Sequence, residues 1–316
     1  MDRNDISWRG YWAACPTPYG ERGEFEPDLL RALLDYYIGE GVHGVLINGT
    51  TGEWFSQSDE ERRQVAETAI EHTAGRMTVV VGCTAYTAKA VTEFARHVMA
   101  AGADGFATTP PPYCRPLPDE TVAFYTDISR SLPDAPMMVY NWPHGTSVEI
   151  ASDLADRLVE IDTVVALKDS TPNFGQFVET TKTVVDRVRV FGPFMTSEGL
   201  AALNAWGGDG TIGGGTIFGA PDVEFWEAHW RGDQETARAH AARTDRLFEK
   251  LWLPGGWAGR YGHYQSQLKA IMAMLGQPGG TVRPPRLPVT DPAALAALRR
   301  ILIEESILEP DREPVA

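Results

Sequence analysis

Val164-Val165-Ala166-Leu167-Lys168-Asp169-Ser170 opens with an apolar run of strand length, Val164 to Lys168, that ends on a lysine. So short and so apolar a run suits a strand buried on both faces, as in a parallel sheet covered by helices. Seven further runs share its character: Trp12 to Thr17, Gly44 to Asn48, Thr78 to Cys83, Gly105 to Thr109, Met137 to Asn141, Val188 to Gly192 and Gly210 to Ile212. They start about 20 to 35 residues apart, with helix-length amphipathic segments between them. Eight strands alternating with helices predict an α/β fold, a closed parallel (β/α)8 TIM barrel. An open doubly wound sheet would usually carry Gly-x-Gly-x-x-Gly after its first strand, and Cys15-Pro16-Thr17-Pro18-Tyr19-Gly20 is not that.

Helix-start signals support the alternation. Ser58 with Glu61 three residues later forms a capping box before Arg62 to Thr73, and Pro27 stands where a first helical turn tolerates proline. Beyond residue 222 the pattern is purely helical: Glu224 to Trp230, Gln234 to Leu251, Gln265 to Leu275 and Pro292 to Ile303. The expectation is a barrel over 1–221 with a C-terminal helical extension over 222–316 packed on it, as one structural unit.

The 316 residues fit one barrel with an appendage, and 43% apolar with 22% charged residues is ordinary for a globular chain. No apolar window approaches the roughly 18 residues of a membrane span, and the first residues lack an apolar leader core. A cytoplasmic location follows as an expectation, with no membrane partner. The net charge of -15 and the absence of a basic cluster argue against nucleic acid. Cys15, Cys83 and Cys114 are too few and too scattered for a disulfide framework or a metal knuckle, and are expected as packed thiols. His43, His144 and His263 have no carboxylate partners at metal-ligand spacing, so no metal site and no cofactor are expected.

A lysine closing a buried strand needs a reason. It can carry its amine to solvent along its stem, or pair with Asp169. Alternatively its amine is desolvated, which disfavours the ammonium and yields a nucleophile able to form a Schiff base with a carbonyl compound. In such a barrel the functional groups gather at the C-terminal strand ends. Here those ends carry Thr17, Gly49-Thr50-Thr51-Gly52-Glu53, Cys83, Pro110 to Tyr113, Tyr140-Asn141, Lys168, Gly192 and Gly213 to Gly215. The glycine-flanked hydroxyl loop can cradle an anion with its N–H groups, or be a tight turn with two capping threonines. Tyr140 can project its phenol into the barrel mouth, or be a core aromatic.

At these residues the chain resembles the N-acetylneuraminate lyase and dihydrodipicolinate synthase family of Schiff-base aldolases. The resemblance runs from about Trp12 to Ile303. It is carried by Gly-Thr-Thr-Gly-Glu at 49–53, Tyr-Asn-x-Pro at 140–143, Ala-Leu-Lys-Asp-Ser at 166–170 and Gly-Asp-Gly-Thr-Ile-Gly at 208–213. The tyrosine and lysine stand 28 residues apart, as in the family. The resemblance implies that Lys168 forms the imine with a 2-oxo acid and that Tyr140 relays protons beside it. It further implies that Thr50 orients the Tyr140 hydroxyl, and that Gly49, Thr50 and Thr51 hold the substrate carboxylate. Ile212 would line the site near the imine. Tyr113 matches a tyrosine that crosses into a neighbouring subunit's site, which implies a homo-oligomer, commonly a dimer of dimers.

Departures bear on the substrate. The synthase branch places an arginine after Tyr-Asn-x-Pro-Ser for a second carboxylate; here the run is Tyr140-Asn141-Trp142-Pro143-His144-Gly145, with Gly145 in that place. Dihydrodipicolinate synthesis is therefore not expected. The sialic-acid branch has acidic residues after its seventh strand, where this chain reads Phe191-Gly192-Pro193-Phe194-Met195. With Gly192, Phe194 and Trp142 at the site, the aldehyde side is expected to be apolar or aromatic. The resemblance thus implies a class I, metal-independent lyase that joins or splits pyruvate and an aldehyde. A dehydratase or deaminase of a 3-deoxy or hydroxylated 2-oxo acid would use the same imine, and a non-catalytic 2-oxo acid binding protein is the alternative from another class.

Overall fold

The computed structural model of the chain describes residues 1–214, 220–254, 256 and 258–310; Gly215 and the last six residues of the predicted extension lie outside the described residues. In chain order the elements are β1 (Gly10–Ala14), α1 (Pro27–Gly39), β2 (Gly44–Ile47), α2 (Asp59–Thr73), β3 (Thr78–Gly82), α3 (Ala88–Ala100), β4 (Gly105–Thr108), α4 (Pro118–Ser131) and β5 (Met137–Asn141). They continue with α5 (Pro143–Thr146), α6 (Ser152–Leu158), β6 (Val164–Asp169), α7 (Phe174–Val184), β7 (Arg189–Phe191), α8 (Ser197–Trp206), β8 (Gly210–Gly213), α9 (Ala220–Trp230), α10 (Gln234–Leu251), α11 (Tyr264–Met274) and α12 (Pro292–Glu304). The strands pair in sequence order, all parallel, and β8 returns to β1 to close the barrel. The predicted (β/α)8 barrel with a C-terminal helical part is therefore the fold.

Local chemistry sets the boundaries. Ser58 accepts from the Glu61 N–H and Glu61 answers with its carboxylate on the Ser58 N–H, so α2 starts with the capping box that its sequence announced. Pro27 opens α1. β1 stops at Ala14, short of the predicted Thr17, because Pro16 has no N–H to offer a ladder.

The barrel interior is filled by Trp8, Trp12, Leu46, Val80, Ala107, Met138, Ala166 and Phe191. Glycines make room for the largest of these. A Cβ at Gly44 would lie 2.6 Å from the Trp12 ring, and one at Gly210 would lie 2.4 Å from Phe191. Trp12 and Phe191 then meet with ring centroids 4.8 Å apart. A plug this dense closes the barrel below the mouth and confines chemistry to the C-terminal strand ends.

α9 packs on β1 and takes the place of the eighth barrel helix, so the expected boundary at 221/222 falls inside that helix, with α10, α11 and α12 beyond it. Phe225 and Trp226 of α9, Ala237 and Ala241 of α10, and Leu268 and Met272 of α11 join the core between strands and helices. A second cluster, with Leu247, Leu251, Ile271, Leu298 and Leu302, binds α10, α11 and α12 to one another. No described helix is long and apolar enough to cross a membrane.

Candidate active site

Parallel register decides which side chains meet. Tyr140 on β5 pairs with Lys168 on β6, and Asn141 pairs with Asp169. Successive residues of a strand point to opposite faces, so the two pairs separate. Tyr140 and Lys168 face the barrel mouth, with the Lys168 Nζ 4.0 Å from the Tyr140 ring centroid. Asn141 and Asp169 turn outward, and the Asn141 Nδ2 donates to Asp169 Oδ1 at 2.8 Å. The same oxygen accepts the Thr171 N–H at 2.9 Å. Burial pushes the Asp169 carboxyl up to about 6, against the pull of these two donors.

Lys168 thus neither snorkels nor pairs with Asp169: it is 7% exposed, and among the described residues no carboxylate lies within ion-pair distance of it. Its amine opens on a cavity of about 350 Å³ whose wall includes Thr51, Tyr140, Trp142, Gly192, Ile212 and Tyr264. Trp142 stacks on Tyr140, centroids 6.4 Å apart and planes 20° apart. Gly145 lies beneath that indole: a Cβ there would fall 1.9 Å from a ring carbon of Trp142. Gly145 therefore shapes the wall without lining it.

The loop after β2 leaves two backbone donors without acceptors among the described residues. Asn48 and Glu53, at its two ends, both adopt left-handed backbone, φ 53° and 57°. Between them the N–H groups of Thr50 and Thr51 donate to no acceptor among the described residues, although both residues are buried. Buried N–H groups without partners are rare, and two side by side suit a carboxylate. Gly49 and Thr50 lie behind Thr51 rather than in the cavity wall. Among the described residues no hydrogen bond joins the Thr50 hydroxyl to Tyr140; it is Thr51 whose hydroxyl meets a phenol, that of Tyr264.

Two expected site residues stand elsewhere. Phe194 is fully buried, its ring packed between Phe177 at 5.1 Å and Trp226 at 6.1 Å. It belongs to the core between β7 and α9 and not to the substrate wall, because the chain turns inward after Gly192 and Pro193. Tyr113, in left-handed backbone with φ 76°, is 91% exposed and does not line its own chain's cavity. The thiols divide: Cys15 and Cys83 are buried, with Cys83 pushed up to about 12 by burial, whereas Cys114 is exposed and not packed.

Several wall residues escaped the sequence reading. Thr244, Phe248, Trp252 and Tyr264 come from α10, α11 and their connection, and Asp222 from α9. Burial pushes the Asp222 carboxyl up to about 8, although a hydrogen bond with Tyr11 and the Arg243 charge pull it down. One signal was present for α11: Gln265 and Lys269, one helical turn apart, share a helix otherwise rich in apolar residues.

The geometry agrees with what the chain is similar to. The model of the dihydrodipicolinate synthetase family matches residues 7–303. An uncharacterized DapA-like lyase of Rhizobium meliloti is 33% identical over 300 residues, covering 93% of this chain and 95% of that protein. Dihydrodipicolinate synthase from Aquifex aeolicus superposes with a TM-score of 0.85 at 26% identity, over 96% of this chain and all of that one. YagE, a prophage protein of E. coli K12 solved in complex with pyruvate, superposes with a TM-score of 0.85 at 23% identity, over 96% of this chain and 100% of its own. With the matched segment running through all eight strands and both sides of the cavity, the chain belongs to the dihydrodipicolinate synthetase family.

Proposed function

We propose that the protein is a class I Schiff-base lyase that forms or cleaves a carbon–carbon bond between pyruvate and an aldehyde through an imine on Lys168. One observation carries this reading: a buried lysine with no carboxylate partner among the described residues shares a cavity with a tyrosine ring 4.0 Å away and with Thr51, whose N–H, like that of Thr50 beside it, meets no acceptor among the described residues. The loop would take the 2-oxo acid's carboxylate and deliver its carbonyl to the Lys168 amine. Loss of water gives the imine, and its protonated form draws electrons from the neighbouring bond. That bond breaks to an enamine, while Tyr140 moves the proton between the departing or arriving oxygen and the site. Pyruvate, bound by the related YagE, is the smallest acid with these features.

Dihydrodipicolinate synthesis does not fit the wall. An arginine at 145 would drive its own Cβ into Trp142, so no second cationic clamp stands there. The aldehyde side is instead framed by Trp142, Phe248 and Trp252, with Thr196, Thr244 and Asp222 among them. Tyr113, exposed on the loop after β4, would enter a neighbouring copy's site in a homo-oligomer arranged as a dimer of dimers.

Asp222 favours a second reading. A carboxyl held up to about 8 is protonated at neutral pH, and a proton donor in the wall is what elimination of water from a hydroxylated 2-oxo acid requires. The experiment is borohydride reduction with pyruvate and a panel of 2-oxo acids, then peptide mapping. The adduct is expected on Lys168 and is expected to vanish in Lys168→Met; an intact Lys168 peptide with every acid sinks the imine. Release of an aldehyde marks the lyase, and a product keeping all its carbons marks the dehydratase.

A further inference from the structure

The anion loop is held from outside the barrel. Left-handed backbone at Asn48 and Glu53 is strained, and such strain persists only where the surroundings over-determine it. Asn48 is fixed by its Nδ2, which donates to the Arg62 carbonyl at 2.8 Å. Glu53, which has no exposed surface, is fixed by Lys269 of α11, whose Nζ donates to Glu53 Oε1 at 2.8 Å. The same amine donates to the carbonyls of Thr17 at 2.7 Å and Thr281 at 2.6 Å, so its three protons are all used. It also stands 4.6 Å from the Tyr19 ring centroid. One turn earlier on the same helix, Gln265 Nε2 donates to the Thr50 carbonyl at 3.0 Å. α11 therefore grips the loop at both Thr50 and Glu53, on either side of the Thr51 N–H, which meets no acceptor among the described residues.

We propose that Lys269 is a positioning residue for the substrate carboxylate: by pinning Glu53 in its left-handed conformation it keeps the Thr50 and Thr51 N–H groups converged on one point. Lys269 touches no reacting atom. Without it, Glu53 can relax to ordinary backbone, the peptide planes at 50–52 rotate, and the two donors part. The C-terminal helices are thereby part of the binding site, and not a cover laid on a finished barrel. This inference rests on the imine reading, so its test separates the two.

The measurement is the concentration of pyruvate, and of its uncharged analogue methyl pyruvate, that half-saturates borohydride trapping at Lys168. In Lys269→Met the pyruvate value is expected to rise roughly 10- to 100-fold, the worth of a charge-assisted hydrogen bond or two. The methyl pyruvate value is expected to move by less than about threefold, since an ester offers the cradle no charge. Leu302→Ala, in the α12 core, serves as a destabilised control and should leave the ratio of the two values as in the unaltered protein. Should Lys269→Met fail to fold, Glu53→Met removes the acceptor of the Lys269 hydrogen bond at similar side-chain volume and should shift the ratio in the same direction. A folded variant of either kind with an unchanged ratio overturns the positioning role. An unaltered protein that traps neither compound refutes the imine itself, a result that no variant is needed to obtain.

Discussion

Replacing Asp169 by asparagine should make the folded protein more stable at slightly alkaline pH and leave it little changed in acid. The carboxyl is buried, its Oδ1 holding two donors and its Oδ2 meeting none among the described residues. Its value rises from 3.8 to about 6, first through burial and last through the neighbouring charge of Glu149. A raised folded-state value means that the native protein holds this proton more tightly than the unfolded chain does. The contribution is then fully present below the unfolded value and is lost as pH rises through about 6. Above that, the ionised form costs about 3 kcal/mol relative to a group that never ionises. Asparagine keeps the Oδ1 acceptor, but its amide places an unpartnered donor at the Oδ2 position, which takes back about 1–2 kcal/mol. The net gain at pH 8 is therefore about 1–2 kcal/mol, and the advantage should shrink by about 1.5 kcal/mol on going to pH 5. Urea unfolding of both proteins at the two pH values measures this, since every other titrating group cancels in the difference. A variant whose advantage is the same at pH 5 and pH 8, or grows in acid, would show that Asp169 is ionised and paired in the native state.

Other substitutions probe the wall and the core. Gly145→Ala puts a methyl group 1.9 Å from the Trp142 ring and must push the indole off Tyr140; a loss of about 1–3 kcal/mol is expected, together with acceptance of bulkier aldehydes, and an unmoved indole in a crystal structure of the variant would contradict it. Phe194→Ala should cost about 3–5 kcal/mol in thermal or urea unfolding and leave the half-saturating concentration of 2-oxo acid unchanged; an altered concentration would return Phe194 to the substrate wall. With an aromatic disulfide reagent, Cys114 alone should react in the native protein, and Cys15 and Cys83 only after unfolding. Rapid loss of a second thiol would speak against their burial.

The barrel was legible because its strands are buried on both faces, so each appears as a short apolar run whose ends the ladder then shifts by one to three residues. β5 came out as predicted, Met137–Asn141, while β7 shortened to Arg189–Phe191. The meeting of Tyr140 and Lys168 was legible only through the family resemblance, which spaces the two 28 residues apart; the β5–β6 register then sets them side by side. Phe194 was misplaced because an aromatic just past a strand end carries no mark of the face it will take. Asp222, Trp252, Tyr264 and Lys269 were out of reach for a different reason. They arrive at the mouth through the packing of α9, α10 and α11, and long-range packing leaves no local period to read. Only the polar pair Gln265 and Lys269, a turn apart on an apolar helix, hinted that α11 had polar partners to satisfy.

What makes Lys168 available is the period of the strand that carries it. An ammonium held by a carboxylate is stabilised as the cation and has no lone pair to offer a carbonyl carbon. The neighbour in sequence is Asp169, close enough to form such a pair from any loop. On β6 it cannot: alternation sends the lysine into the mouth and the aspartate outward to Asn141 and Thr171. A slip of one residue in the β5–β6 register would exchange the faces of the two, taking the Lys168 side chain away from Tyr140. The pairing of Tyr140 with Lys168 and the bond between Asn141 and Asp169 are two sides of one register, and each is evidence for the other. Asp169 borders the same cavity, but its Oδ1 is taken by Asn141 and the Thr171 N–H, and among the described residues no ion pair joins it to Lys168.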